Sequence, residues 1–480
     1  MFFIKIAKYH LYLFQLENYE LGRFWKLVFK KGLLPPSQPL RKSLVWTNKA
    51  ILIFAVSEIL IFALSGLIAR FLHLSVLENW VATAVAFFGL LAIFKHFSFV
   101  FFSLAAILIT PADFGFKKWI VLRARAKIQD RPNLKIIAVA GSYGKTTMKE
   151  FIKAVLAPKY QVLSTPESIN TPVGISRWVL SKLDDTVEVL IIEMGEHYFG
   201  DVAELCRITP PDIAVVTGVN EAHLERMGKM DMVVSTIFEI VSGLKPKGLT
   251  VLNADDSNVI ENYKKFIWPD HKIETYQVSS IKYQVFDPNA LCWSLKLDEI
   301  GDVKLYMLGE YALGDVDCAV KIGKLLGLNN LEIKRGIESI RPVEHRLQPF
   351  RAPGDILVID DAYNGNSAGV KEAIRVLGRF IERRKIFLTP GLVETGNLAK
   401  QVHLEIGRQL ASVADVVILI QNSVTSGIEA GIREKLPTTN YPLPTILWFN
   451  TALEAHANLK NILKPGDVIL FQNDWGDQYL

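Results

Sequence analysis

Cysteine is scarce in this chain. Three thiols, Cys206, Cys292 and Cys318, occur in 480 residues. They are odd in number and widely spaced, so a disulfide framework and a metal knuckle are both excluded, and a reducing cytosol suits them. Excess charge is also lacking: 54 Lys and Arg against 49 Asp and Glu leave a net charge of +5. No stripe of basic residues interleaved with aromatics occurs, and no zinc-finger spacing, so nucleic acid is not an expected partner. A long apolar run is missing before about residue 50, which fits a removable signal peptide poorly.

Apolar residues are abundant but unevenly placed. The chain is 50% hydrophobic with a mean hydropathy of +0.24, and the excess lies before residue 112. A length of 480 residues suggests two or three domains. From Ala50 to Ala69 only Ser57, Glu58, Ser65 and Gly66 interrupt an apolar run, which matches the roughly 20 residues of a bilayer crossing. A second apolar stretch, Trp80 to Thr110, is interrupted by Lys95 and His96. Each half is short for a crossing and the whole is long, so Lys95 is expected to snorkel, to face a partner or to mark a re-entrant bend.

Basic residues crowd before the first span and after the second, while the connector holds only Arg70. Both ends are therefore expected in the cytoplasm, with the chain integral to the cell membrane. Residues 3–30 mix Leu11, Leu13, Phe14, Leu16, Leu21, Phe24, Trp25 and Leu27 with basic positions, as in a helix lying on a membrane surface. A buried helix of a soluble domain is the competing reading. The expected organisation is an interfacial segment at 1–48, a transmembrane region of two spans at 49–111, a central domain at 112–341 and a last domain at 342–480.

Gly141-Ser142-Tyr143-Gly144-Lys145-Thr146-Thr147 follows the apolar run Ile136 to Val139 and precedes a helical pattern from Met148 to Leu156. A strand, a glycine turn and a helix in that order make a phosphate-binding loop. The helix N-terminus presents N–H groups, Lys145 supplies a point charge for the β/γ-phosphates, and Thr146 offers a hydroxyl to Mg²⁺. The loop is shorter than the usual pattern, with Val139 in place of a first glycine.

Beyond Pro111 strands and helices alternate, the signature of an α/β fold with a mainly parallel sheet. Strands are expected at Lys135–Ala140, Val187–Glu193, Ile213–Thr217 and Leu249–Leu252, with a hairpin around Gly301-Asp302. A second series is expected near Ile356–Ile359, Lys385–Leu388, Val416–Ile420, Thr445–Phe449 and Val468–Phe471, giving a separate doubly wound, Rossmann-like domain. Glu193 ends its strand at a carboxyl edge, where such sheets hold ligands, and His223 follows the next strand. Thr146, Glu193 and His223 together would supply oxygen and imidazole ligands for Mg²⁺.

Seven segments then occur in a telling order: the loop, Thr165 to Gly174, Glu193-Met194-Gly195, Ala222-His223-Leu224-Glu225, Leu252 to Asp256, His345-Arg346-Leu347-Gln348 and Asp360 to Asn366. Over about residues 130–480 the chain resembles the Mur ligases. It looks most like the branch that adds D-alanyl-D-alanine to a UDP-linked muramoyl tripeptide. The resemblance implies an ATP-dependent, ADP-forming ligase of peptidoglycan precursor synthesis, built from a P-loop central domain and a Rossmann-like last domain. In that chemistry a substrate carboxylate is phosphorylated and an amine displaces phosphate. The resemblance makes Lys145, Glu193, His223 and Arg346 catalytic, with Arg346 stabilising the transferred phosphate when the domains close. It adds Asn170 and Asp361 to the nucleotide site and Tyr363, Asn364 and Asn366 to the substrate site, although asparagine-rich turns are also ordinary turn chemistry.

Several positions depart from the family. Ile237 stands where many members carry a carbamylated lysine that steadies a second Mg²⁺. Gly309-Glu310-Tyr311-Ala312 and Asp315 replace the usual adenine contacts, so base preference is open. Thr389 to Gly396 and Phe471 to Trp475 replace two turns of the branch, which leaves the amine acceptor open. The front end is apolar where the branch has a UDP-gripping domain, so the carboxylate partner is read as a peptide-like precursor, UDP-linked or lipid-linked. A polyglutamate-like polyamide synthase and a degenerate nucleotide-binding scaffold are the rival readings.

Overall fold

The computed structural model describes residues 2–36, 44–75, 79–166, 169–196, 198–221, 224–267, 271–363, 365–393, 395–434 and 442–473. The chain forms two compact units, the first ending at Trp119 and the second beginning at Ile120.

The first unit is helical: α1 (Phe2–Leu16), α2 (Leu21–Lys31), α3 (Asn48–Ser75), α4 (Trp80–His96) and the start of α5 (Ser98–Gln129). The packing of α3 is inverted relative to a helix of a soluble core. Its buried side chains are Ala50, Ile53, Ser57, Ile61, Ser65 and Ala69, a stripe of mostly small residues that lets neighbouring backbones approach. Its exposed side chains include Ile59, Phe62, Leu67 and Phe71. By length and hydropathy α3 and α5 suffice to cross a bilayer, and only 22% and 28% of their most apolar windows are buried.

The second apolar stretch, Trp80 to Thr110, is divided between two helices, α4 and α5, which break at Phe97. Lys95 faces a partner: its Nζ lies 3.0 Å from Glu58 Oε2 on α3. The apolar face of residues 3–30 is not left open for a membrane surface. Phe14 stacks on Phe24 at 4.3 Å, Trp25 donates to Ser103 Oγ at 3.0 Å, and His10 Nδ1 meets Ser98 Oγ at 2.8 Å. Leu11, Phe14, Phe24 and Leu27 are spent inside the unit, because α1 and α2 fold against each other and against α5. The expected boundary between residues 111 and 112 falls inside a helix, since α5 runs through Pro111 to Gln129. A single proline removes one backbone hydrogen bond, which a long packed helix tolerates.

The second unit holds two α/β layers. In chain order its elements are β1 (Lys135–Ala140), α6 (Lys145–Leu156), β2 (Val162–Ser164), α7 (Pro172–Lys182), β3 (Val189–Glu193), α8 (Asp201–Ile208), β4 (Ile213–Val216), α9 (Leu224–Met227), α10 (Met230–Ser242), β5 (Leu249–Asn253), α11 (Ser257–Asn262) and β6 (Lys272–Tyr276). Then come β7 (Tyr283–Asp287), β8 (Cys292–Leu297), β9 (Gly301–Leu305), α12 (Tyr311–Leu325) and α13 (Asn330–Ser339). The last domain contains β10 (Gln348–Ala352), β11 (Ile356–Asp361), α14 (Ser367–Gly378), β12 (Lys385–Thr389), α15 (Ala399–Leu410), β13 (Val416–Ile420), α16 (Thr425–Glu434), β14 (Thr445–Phe449), α17 (Ala452–Ile462) and β15 (Val468–Gln472).

The central sheet is parallel with order β2-β3-β1-β4-β5-β6. Strand β1 shows why its sequence is continuously apolar. Ile136, Ala138 and Ala140 enter the core shared with α7, α8 and α10, while Ile137 and Val139 enter the core shared with α6, α12 and α13. A strand covered on both faces has no polar side to show. The expected hairpin is β8 and β9, extended by β7 into a small antiparallel sheet. The last sheet, β10-β11-β15-β12-β13-β14, is parallel except for the β10–β11 pair. β2, β6, β7 and β10 lie outside the strands expected above; they are short or edge strands with weak apolar patterning.

Candidate functional site

Sheet order places the site. Because β1 lies between β3 and β4, the carboxyl ends of all three strands converge, with Val139 in register with Glu193 and Ala140 with Val216. The chain then turns through two glycines with positive φ, the first of which no other residue can replace. Gly141 has φ +147°, and a Cβ there would fall 2.2 Å from Thr217 Oγ1 and 2.9 Å from backbone atoms of Gly218. Gly144, at φ +76°, opens α6. The N–H groups of Lys145, Thr146 and Thr147 are first-turn donors that the helix itself leaves unpaired. Tyr143 is locked by its hydroxyl to Asp256 Oδ2 at 2.6 Å, and burial next to that carboxylate pushes its phenol well above the ordinary range. Ser142 spends its N–H on the Gly218 carbonyl, 2.8 Å away.

Glu193 is 5% exposed and accepts from Thr146 Oγ1 at 3.0 Å. Lys149, fully buried one turn further along α6, lies 3.3 Å from the same Glu193 oxygen and donates to the Thr165 carbonyl at 2.6 Å. A hydroxyl and a buried carboxylate beside a helix N-terminus are hard oxygen donors, and they fit Mg²⁺ carried in with phosphates. His223, expected as the third ligand, lies outside the described residues. Among the described residues no group of three or more His, Cys, Asp and Glu is arranged around a metal. Ile237 is fully buried in the central apolar core and offers no ligand. Asn170 stands beside the site, its carbonyl accepting from Gly195 N–H at 2.9 Å.

Arg346 comes from the opposite wall. It sits between two left-handed residues, His345 (φ 57°) and Leu347 (φ 44°), a strained turn that persists because its neighbours fix it. His345 Nδ1 meets Asp360 Oδ2 at 2.7 Å, Leu347 N–H donates to Asp361 Oδ1 at 3.2 Å, and the Leu347 side chain is buried in the core of the last domain. The Arg346 guanidinium lies over the Tyr363 ring, 4.7 Å from its centroid.

Tyr143, Gly144, Thr147, Arg346, Asp361 and Asn366 line one cavity of about 440 Å³. Asn366 also caps α14, accepting from Gly369 N–H at 3.0 Å, and accepts from Asn220 Nδ2 at 3.0 Å across the cleft. Asn364 lies outside the described residues. Glu310, Tyr311 and Asp315, three of the positions expected to alter the base contacts, line the same cavity, together with Tyr276. Burial pushes the Asp315 carboxyl well up. The altered turns of the last domain brace one another instead: Thr389 Oγ1 donates to Gln472 Oε1 at 2.8 Å, and Asn473 bonds Gly365 N–H and the Gly391 carbonyl. Asp474 and Trp475 lie outside the described residues.

Burial pushes the Asp361 carboxyl up to about 7 against the pull of Leu347 N–H and Arg346. The folded protein therefore keeps this proton between about pH 4 and 7, where an unfolded chain has lost it, and the contribution of Asp361 to stability falls as pH rises through that window. Asp361→Asn should flatten the decline of the thermal midpoint between pH 4 and 7; an unchanged slope would show that this carboxyl does not hold its proton in the fold.

Sequence reasoning passed over Lys149 and Glu196 and gave no individual role to Asn220 or to Asp256, the last residue of the Leu252 to Asp256 segment. Lys149 is one turn beyond Lys145 on α6 and was findable by its i, i+4 spacing. Glu196 and Asn220 lie on loops where no periodicity marks them.

Comparison with known proteins agrees with this arrangement. The Mur ligase middle domain matches residues 139–316, and the Mur ligase glutamate ligase domain matches residues 345–472. The UDP-N-acetylmuramoyl-tripeptide–D-alanyl-D-alanine ligase of Mycobacterium tuberculosis is 29% identical over 368 residues, covering 70% of this chain and 70% of the relative. The enzyme of the same name from Bacillus subtilis is 27% identical over 289 residues, 59% of this chain and 62% of the relative. That from Escherichia coli is 25% identical over 356 residues, 69% and 76%. The chain thus spans 62% to 76% of the length of these relatives. Among solved structures, MurF ligase from Thermotoga maritima in complex with ADP superimposes with a TM-score of 0.64 at 25% identity, over 75% of this chain and 80% of that one. MurF from Acinetobacter baumannii gives 0.65 at 22% identity, over 76% and 78%. The two matched regions make up well over half of the chain and hold its phosphate loop, and the chain belongs to the Mur ligases, a family of ATP-dependent enzymes that join a carboxylate to an amine and release ADP.

Proposed function

We propose that this chain is a membrane-tethered peptide ligase of cell-envelope synthesis, which activates a peptide-like carboxylate with ATP and couples it to an amine such as D-alanyl-D-alanine. The observation that carries this reading is the pairing of a phosphate cradle on one wall of the cleft with Arg346 on the other. The carboxylate oxygen attacks the γ-phosphorus, the bond to the β-phosphate oxygen breaks and ADP leaves. The amine then attacks the acyl carbon, loses a proton, and expels phosphate as the amide forms. Lys145 and the first-turn N–H groups of α6 hold the phosphates, Thr146 and Glu193 would hold Mg²⁺, and Arg346 meets the charge that builds on the transferred group. Bound Mg²⁺ would neutralise the phosphate oxygens. The names of the relatives support the substrate pair.

The membrane reading rests on α3, whose largest apolar side chains face outward while mostly small ones pack inward, and on α5, which exposes Leu104, Ile107 and Leu108 although Phe99 and Phe102 pack inside the unit. A helix of a soluble core has the opposite arrangement. With the front end read as membrane helices, the carboxylate partner of this ligase is an envelope precursor presented at the membrane face, UDP-linked or lipid-linked.

One experiment tests both parts. The full chain, reconstituted in vesicles and washed in high salt, is given ATP, Mg²⁺, D-alanyl-D-alanine and a tripeptide precursor labelled with oxygen-18 in its carboxylate, either UDP-linked or lipid-linked. Expected are retention on the vesicles and amine-dependent release of ADP and labelled phosphate. AMP and pyrophosphate as products, or no release with either precursor, would overturn the chemistry; loss of the protein in the wash would overturn the tether.

A further inference from the structure

The phosphate-loop lysine already has a counter-ion that the proposed mechanism does not use. Lys145 Nζ lies 2.6 Å from Glu196 Oε1 and also donates to the Gly141 carbonyl. Glu196 is only 1% exposed, and its backbone is pinned. The preceding Gly195 N–H bonds the Asn170 carbonyl at 2.9 Å, and a Cβ on Gly195 would come within 2.5 Å of that same oxygen. Glu196 is thus delivered to Lys145 by a fixed turn three residues beyond Glu193.

The end of β3 therefore carries two buried carboxylates, each matched to a cation of α6: Glu193 to Lys149 and Glu196 to Lys145. These four charges sum to zero, and Glu150, 3.7 Å from Lys149, is itself paired with Lys153 at 3.2 Å. A nucleotide entering the loop brings several negative charges to Lys145 while Glu196 remains beside it, in a place where water screens little. One ammonium then serves two anions. A divalent cation bound with the phosphates restores the balance, and the Glu193–Thr146 pair is the place for it.

Resting on the reading of residues 141–147 as a nucleotide site, we propose that Glu196 makes this site select the Mg²⁺ complex of the nucleotide over the free nucleotide, by holding Lys145 as its counter-ion until the divalent charge arrives. Glu196 is a specificity-determining residue that acts through Lys145 and the field at the loop. Its consequence is that free nucleotide, and phosphates without a metal, occupy the loop much more weakly than the metal complex does.

Calorimetric titration of ADP into the full chain in detergent, with Mg²⁺ or with EDTA, tests this without turnover. In the parent, Mg²⁺ should strengthen ADP binding by well over tenfold. In Glu196→Gln, free ADP should bind about tenfold tighter than to the parent while Mg-ADP changes by less than about threefold, so that the dependence on metal shrinks. Glu196→Asp, which keeps the charge but withdraws it from Lys145, should fall between the two and serves if the glutamine variant does not fold. Equal weakening of both forms in Glu196→Gln would overturn the proposal, because Glu196 would then only position Lys145. An unchanged ratio between the two forms would also overturn it. Failure of the parent to bind ADP with or without Mg²⁺ would overturn the reading of the loop itself, and the proposal with it.

Discussion

Lys145→Ala should lower ATP-dependent turnover by about 10²–10³-fold or more, since it removes a preorganised charge from the phosphates undergoing transfer. The structure adds a second expected effect. Lys145 is the cation 2.6 Å from Glu196, and Glu196 is almost completely buried. Deleting the lysine takes a counter-ion from that buried carboxylate, and breaking a buried pair from one side costs roughly 3–5 kcal/mol. Lys145→Ala alone should therefore unfold at a lower temperature than the parent. Lys145→Ala combined with Glu196→Gln should recover most of the thermal midpoint and none of the turnover. Near-parental turnover in the folded double variant would remove Lys145 from the chemistry; a midpoint that stays low would mean that the ion pair is not what the first variant lost.

Arg346→Ala should lower kcat by about 10²-fold while changing nucleotide affinity by only a few-fold, because its charge matters most when the phosphoryl group is in flight. Arg346→Lys should recover little of this. The planar guanidinium lies over the Tyr363 ring and is aimed by a turn with two left-handed residues, and an ammonium neither stacks in that way nor offers the same fork of donors. Steady-state kinetics with separate measurement of ADP binding distinguishes the cases. A loss confined to affinity, or full activity in the lysine variant, would reduce Arg346 to a generic charge in the cleft.

The sequence alone determined the local grammar of this protein. Strand β1, the glycines at 141 and 144 and the start of α6 follow from apolar continuity, from positive backbone angles that only glycine adopts freely, and from helix-capping physics; all of these act within a few residues. The strands β13 and β14 were legible residue for residue for the same reason. The apolar character of α3 was legible as composition, yet that large side chains face out and small ones face in required the packed unit.

Side-chain pairs distant in sequence were not legible, because no period or spacing links them. Lys95 meets Glu58 across two helices. Glu196 meets Lys145 only because β3 lies next to β1 in the sheet. Asn366, one of several asparagines in a turn, both caps a helix and reaches Asn220 across the cleft. Strand order is a choice among folds that burial and backbone hydrogen bonding make in three dimensions, and it is strand order that brings the second carboxylate to the phosphate-loop lysine. The residues of the loop read as a phosphate site from the sequence; which charged side chains stand around that loop was decided by the tertiary structure.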